Sequence, residues 1–203
     1  MNRFIACFPL FFLLSLTSPL TAQDTQLSIS EPTTSRVAPL LGFNLEYGGD
    51  EMLTILLDNG NTQKMRAGQG GSLFGGVRVD LIDKLSLDAT VGIKYVTTAA
   101  DNLSLRFLRF PLQGMLRYEV AGDVFVAGGV TKHVSNTFKV TEGDGIIDEG
   151  KVNLKSNLGV RFEAGWRFIG LSYTLLDYTS EEGDQEVLNA NTFGVSFRYA
   201  IGR

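Results

Sequence analysis

Residues 153–168, NLKSNLGVRFEAGWRF, alternate between two kinds of side chain. Leu154, Leu158, Val160, Phe162, Ala164, Trp166 and Phe168 take the even positions, with only Ser156 polar among them. Lys155, Asn157, Arg161, Glu163 and Arg167 take odd ones. A period of two is that of an extended strand with one apolar and one charged face. In a soluble barrel or sandwich the charged face meets water. In a membrane barrel the charged face turns inward and the apolar face meets lipid.

Seven further segments alternate at period two, 41–49, 71–81, 85–96, about 107–120, 124–133, 171–178 and 192–201, of which 124–133 is Gly-rich and less clear in its facing. Segments of about ten residues suit a tilted strand crossing a bilayer. Three connections read as tight: Ile82-Asp83-Lys84, Ala121-Gly122-Asp123 and Ile169-Gly170. The other four, 50–70, 97–106, 134–152 and 179–191, read as long, so short and long alternate along the chain. That is the pattern of an up-and-down barrel with tight turns at one end; Greek-key sandwiches mix their loop lengths.

The apolar faces of the segments other than 124–133 carry no charge. The opposite faces hold Glu46, Arg78, Asp80, Asp88, Lys94, Arg109, Arg117, Glu119, Lys155, Arg161, Glu163, Arg167 and Arg198. An Arg or Lys on the lipid face at the midplane costs about 2–4 kcal/mol, so the uncharged face is the one fit for lipid. Tyr118, Trp166, Phe168 and Tyr199 fall toward the tight-turn end. Tyr47, Tyr95, Phe110 and Phe193 fall toward the other. Two aromatic girdles around an aliphatic band are expected where rings meet headgroups.

The chain opens MNRFIACFPLFFLLSLTSPLTAQ, with Arg3 as its only charge, which reads as a signal peptide over 1–22. Residues 23–36 are polar and aperiodic and read as a flexible periplasmic leader, leaving 37–203 for the barrel. Cys7 is the only cysteine and falls in the signal segment, so disulfides and thiol chemistry are not expected. Dropping Arg3 leaves 17 basic against 22 acidic side chains and no basic tract, which argues against nucleic acid as a partner.

With that signal segment, that alternation of connections and the final segment TFGVSFRYAI, the chain resembles the small eight-stranded outer-membrane β-barrel proteins of Gram-negative bacteria over about residues 40–201. It departs from them after Tyr199, ending Ala200-Ile201-Gly202-Arg203 where an aromatic residue is usual. The resemblance implies an all-β, eight-stranded antiparallel up-and-down transmembrane barrel in the outer membrane, touching membrane lipid and lipopolysaccharide. A barrel of eight strands is just wide enough to be filled by side chains. The expectation is therefore a lumen plugged by ion pairs, with Arg109, Arg117, Arg161 and Arg198 paired among Glu46, Asp80, Glu119 and Glu163. A narrow ion conduit is the alternative.

Function then falls to the loops. The first carries MLTILL and TQKMRA around Asp58-Asn59-Gly60-Asn61, a hairpin signal. It reads either as an edge for an extracellular ligand or as a fold-over across the barrel mouth. The acidic run at 142–150 matches no EF-hand spacing, and it and the run at 180–186 read as solvated. Neither a cofactor nor a metal is expected, and the barrel reads as a monomer. His133, Ser135 and Asn136, in KHVSN, resemble the His-x-Ser-Asn motif of the lipid A deacylases. That resemblance implies a base, a nucleophile and an oxyanion donor, with Glu142 or Glu149 orienting the imidazole. The bland reading is a histidine at the outer rim. The reading adopted is a non-enzymatic envelope protein; the alternatives are a lipid A-modifying enzyme and a soluble lipocalin-like carrier.

Overall fold

The computed structural model describes residues 36–56, 62–100, 103–142, 150–180 and 187–202. The signal segment, almost all of the leader, the turn at Asp58–Asn61 and most of both acidic runs lie outside them. The strands are β1 (Val37–Gly48), β2 (Glu51–Leu56), β3 (Thr62–Arg66), β4 (Gly70–Ile82), β5 (Leu85–Ala100), β6 (Leu103–Ala121), β7 (Val124–Glu142), β8 (Gly150–Ser156), β9 (Gly159–Trp166), β10 (Ile169–Leu175), β11 (Asp177–Ser180), β12 (Val187–Asn189) and β13 (Thr192–Ala200).

Eight of these close a ring in the order β1-β4-β5-β6-β7-β9-β10-β13, with β13 returning to β1. Every pairing is antiparallel, and each wall strand neighbours those before and after it along the wall. This is an up-and-down β-barrel. Closure leaves the wall without an open edge.

The tight turns fall at one end. Gly122 and Asp123 both have positive φ (54° and 68°), as a type I′ hairpin requires. Lys84 (φ 68°) ends the β4–β5 turn. The third turn is Arg167-Phe168, two residues before the expected Ile169-Gly170. Arg167 takes positive φ there (53°), and Ile169 already pairs with Trp166.

Along the lower wall the outward residues are apolar and exposed apart from Lys132, and include Leu45, Leu73, Val91, Leu116, Phe162 (52% exposed), Trp166 (51%) and Leu171 (69%). The inward ones are charged and buried: Arg109 and Arg161 are 0% exposed. This is the reverse of a soluble carrier, whose ionised groups face water. Every one of Tyr47, Tyr95, Tyr118, Trp166, Phe168, Phe193 and Tyr199 points outward and is exposed; Phe110 is half-buried.

Higher up, the facing inverts. Val96, Leu105, Phe107, Leu154, Leu176 and Tyr178 now point inward and form one buried cluster with Met65, Ala67 and Ala190. Thr97, Arg106, Lys139 and Lys155 are exposed on the outside. The inversion corrects two expectations. The connections at 97–106 and 134–152 are largely strand: β5 runs to Ala100, β6 starts at Leu103 and β7 reaches Glu142. Past the apolar band an inward Leu and an outward Arg replace the inward Arg and outward Leu, so the lower wall's pattern stops without the strands stopping.

The stretch 153–168 is also two strands. β8 and β9 are separated by Asn157-Leu158, where a break shifts the facing by one residue. Leu154 is therefore buried and Lys155 exposed, the opposite of the alternation read through from Arg161.

The β2–β3 hairpin folds over the mouth. Met65 is buried in the upper cluster, and Met52 and Leu53 pack against it. On the hairpin's exposed side Glu51 accepts from Lys64 and Arg66, each at 2.9 Å. The hydrogen bond from Lys64 is the main influence holding the Glu51 carboxyl below the usual range, and the charges of Lys64 and Arg66 assist it. A depressed carboxylate stabilises the fold above its unfolded pKa, and that contribution is lost as pH falls through the lower folded value. The pair is exposed, so the effect is local. Amide resonances of Glu51, Leu53 and Lys64 are expected to titrate with a midpoint below that of an ordinary carboxylate, and Glu51→Gln should abolish the transition. Resonances insensitive to pH would contradict the pairing.

Candidate functional site: a filled lumen and a break in the wall

Seven of the lumen's charges form one continuous chain. Glu46 on β1 accepts from both Lys94 on β5 and Arg161 on β9. Arg161 lies 3.6 Å from Glu163, which accepts from Arg198 Nε on β13 at 3.2 Å. Arg198 is 3.9 Å from Asp88, and Asp88 takes a bidentate pair from Arg78 at 2.6 and 2.8 Å. Gln113 receives a further bond from Arg198 at 3.0 Å, and Thr174 one from Arg161 at 3.2 Å. Seven strands are thereby tied across the interior. Gly42 is required here: a Cβ on it would fall on the ring of Phe74, over which Arg198 stacks at 4.9 Å.

Two arginines differ from the expected pairing. Arg109 donates to the backbone carbonyls of Ala67, at 2.7 Å, and Gln69, and stacks over Phe107 at 4.2 Å. Arg117 donates to the Arg167 carbonyl at 3.0 Å and stacks over Phe125 at 3.4 Å. Backbone oxygens and ring faces replace carboxylates because cations outnumber buried anions in the lumen. The chain after β3 turns its carbonyls into the barrel to meet this excess, and Gly68 takes a bond from Lys94 at 2.6 Å.

Three residues expected in the lumen lie outside it. Glu119 is exposed beside a bulge at the turn end of β6. Arg167 sits in the β9–β10 turn, paired with Asp123 at 3.1 Å and stacked on Trp166 at 4.5 Å. Lys155 is outward because of the break after β8. Asp80 is half-buried near the tight-turn end of β4.

The second feature is a break in the wall. β7 pairs with β9 up to Thr131–Gly159, and with β8 from Asn136–Leu154 onward. Between them, Lys132–Ser135 and Lys155–Leu158 have no ladder pairing with each other. Ser156 fills the gap: its Oγ accepts from the His133 N–H and donates to the His133 carbonyl, both at 2.9 Å. Ser135 takes positive φ (51°), which re-aims the strand.

This geometry disperses the His-x-Ser-Asn motif. The His133 ring is buried and bonds through Nδ1 to the Tyr178 hydroxyl. Ser135 is exposed. Asn136 spends its amide on the His133 and Leu154 carbonyls, at 3.2 and 3.0 Å. A nucleophile needs its base within hydrogen-bond reach; the imidazole here is engaged by Tyr178. The break itself had one sequence signal, Ser156, the single polar residue among the even, apolar positions of 154–168. Tyr178's role had none.

No protein-family model matches the chain, and no curated protein matches its sequence. Among solved structures, the fold is similar to the crystal structure of Ail, the attachment invasion locus protein of Yersinia pestis, in complex with the heparin analogue sucrose octasulfate. Identity is 8%, covering 80% of this chain and 97% of that one, with a TM-score of 0.46. A second crystal structure of Ail is similar at 10% identity and the same coverage, with a TM-score of 0.44.

Proposed function

We propose that this chain is a non-enzymatic barrel of a Gram-negative outer membrane, closed to solutes and acting through the part that stands above the bilayer. One observation carries the reading: the inversion of facing along single strands. On β5, Lys94 is buried and Ile93 exposed below, while Val96 is buried and Thr97 exposed two residues higher. On β6, Arg109 and Phe107 lie inward, with exposed Leu112 below and exposed Arg106 above. An apolar exterior that becomes polar part-way up a continuous strand fits a wall that leaves lipid and enters water.

The closed lumen supports a role other than conduction. Its charges are joined to one another or to backbone carbonyls, and the buried cluster under the hairpin covers them. What remains for recognition is the water-exposed upper barrel, including the hairpin face of Glu51, Gln63 and Lys64. The protein is expected to need detergent for extraction and to show heat-modifiable migration on gels. In planar bilayers it is expected to give no stable unitary steps. Release by osmotic shock would contradict the membrane assignment; steps abolished by Arg161→Gln would contradict the closed lumen.

A further inference from the structure

Two cavities meet at the break in the wall. The lower is an apolar groove of about 430 Å³ on the outer surface, lined by Gly75, Val91, Leu112, Gly114, Val130 and Leu158. It exists because Gly75 and Gly114 face outward without side chains amid larger apolar neighbours; in register, Gly75 stands beside Val91 and Gly114 beside Val130. The upper is a polar notch of about 590 Å³ at the unpaired segments, lined by Ser135, Asn136, Asn153, Lys155 and Ser156 among others. Lys132 lines both. It is exposed and outward, one strand over from Leu112. Asn136 is 2% exposed, and its Oδ1 has no partner among the described residues.

We infer that the groove and notch together seat one phosphorylated lipid of the outer leaflet, an inference that rests on the membrane reading above. Both volumes lie within the about 300–1,000 Å³ usual for ligand sites. The acyl chain lies along the glycine-floored groove, where contact with protein replaces contact with other tails. The phosphate meets Lys132, which stands on β7 between outward Val130 below and exposed Ser135 above. The Asn136 Oδ1 accepts from a headgroup hydroxyl or amide. A tail alone would leave Lys132 without a counter-charge at the lipid boundary, and a free anion would leave the groove unexplained.

The test uses the full protein in phosphatidylcholine nanodiscs carrying a small fraction of bisphosphorylated lipid A. A photo-crosslinking residue replaces Leu158, in the groove, or Leu171, on β10 away from it. Lipid A is expected to crosslink at 158 at least about fivefold more than at 171, and Lys132→Glu should cut that excess about fivefold. Gly114→Leu should remove the excess by filling the groove. A Cβ at Gly114 meets only the Val130 Cγ2, at 4.0 Å, so this variant is expected to fold. Dephosphorylated lipid A should crosslink equally at the two positions. Equal crosslinking of the phosphorylated form, indifference to both substitutions, or a protein adduct at 158 in place of lipid would overturn the seat. Heat-modifiable migration of the unsubstituted protein reports separately on the membrane reading, so its failure is distinguishable from failure of the seat.

Discussion

Glu46→Ala is expected to lower the unfolding free energy of the refolded barrel by about 3–5 kcal/mol, the usual cost of stranding buried charges by removing their partner. Glu46 accepts from two cations at once, and the side chains of Lys94 and Arg161 are 2% and 1% exposed. Without the carboxylate both remain desolvated, and Arg161 keeps only Glu163 at 3.6 Å as a counter-charge. Urea titrations in lipid vesicles, followed by the fluorescence of Trp166, would measure the loss. The double variant Glu46→Ala/Lys94→Met should recover part of it, because one stranded charge is gone. A loss under about 1 kcal/mol, the range of solvated pairs, would mean that water fills the lumen.

The second large effect is on the outer wall. Leu171→Arg, at a position 69% exposed on β10, is expected to cost about 2–4 kcal/mol in a bilayer. The same change at a surface leucine of a soluble protein is ordinarily within about 0.5 kcal/mol. Thr97→Arg is the internal control. Thr97 is also outward and exposed, but it lies past Tyr95, where the facing has inverted and Arg106 stands opposite in register. It should be close to neutral. A cost at both positions, or at neither, would remove the distinction between a lipid-bathed lower wall and a water-bathed upper one.

The sequence was most readable where a single rule held over many residues. From Val160 to Trp166 each side chain faces as its parity dictates, because the lower wall has lipid on one side and a charged lumen on the other. Period-two reading failed where the surroundings changed within a strand. Thr97, Leu105 and Arg106 still alternate, but with the sense reversed, so they read as loop. Leu154 and Lys155 were misplaced for a different reason: the break at Asn157-Leu158 shifts parity by one, and neither residue breaks a strand by itself. The charged residues of the lumen could be named from the strands, but their pairing could not. Arg109 meets the carbonyls of Ala67 and Gln69, contributed by a segment about forty positions earlier whose path depends on Met65 and Ala67 entering the upper cluster. A backbone oxygen leaves no trace in residue type, whereas the Glu46 and Arg161 carboxylate–guanidinium pair does.

Trp166 is the chain's single tryptophan, exposed on the outer wall next to a tight turn, which makes it a native depth probe. The most direct measurement is quenching of its emission in vesicles of lipids brominated at successive acyl positions, beside aqueous iodide. Apolar side chains facing lipid predict strong quenching by bromine near the headgroup end of the chain, weaker quenching by deeper bromine, and little by iodide. Full quenching by iodide with none from any brominated lipid would place Trp166 in water, and the membrane assignment would fall with it.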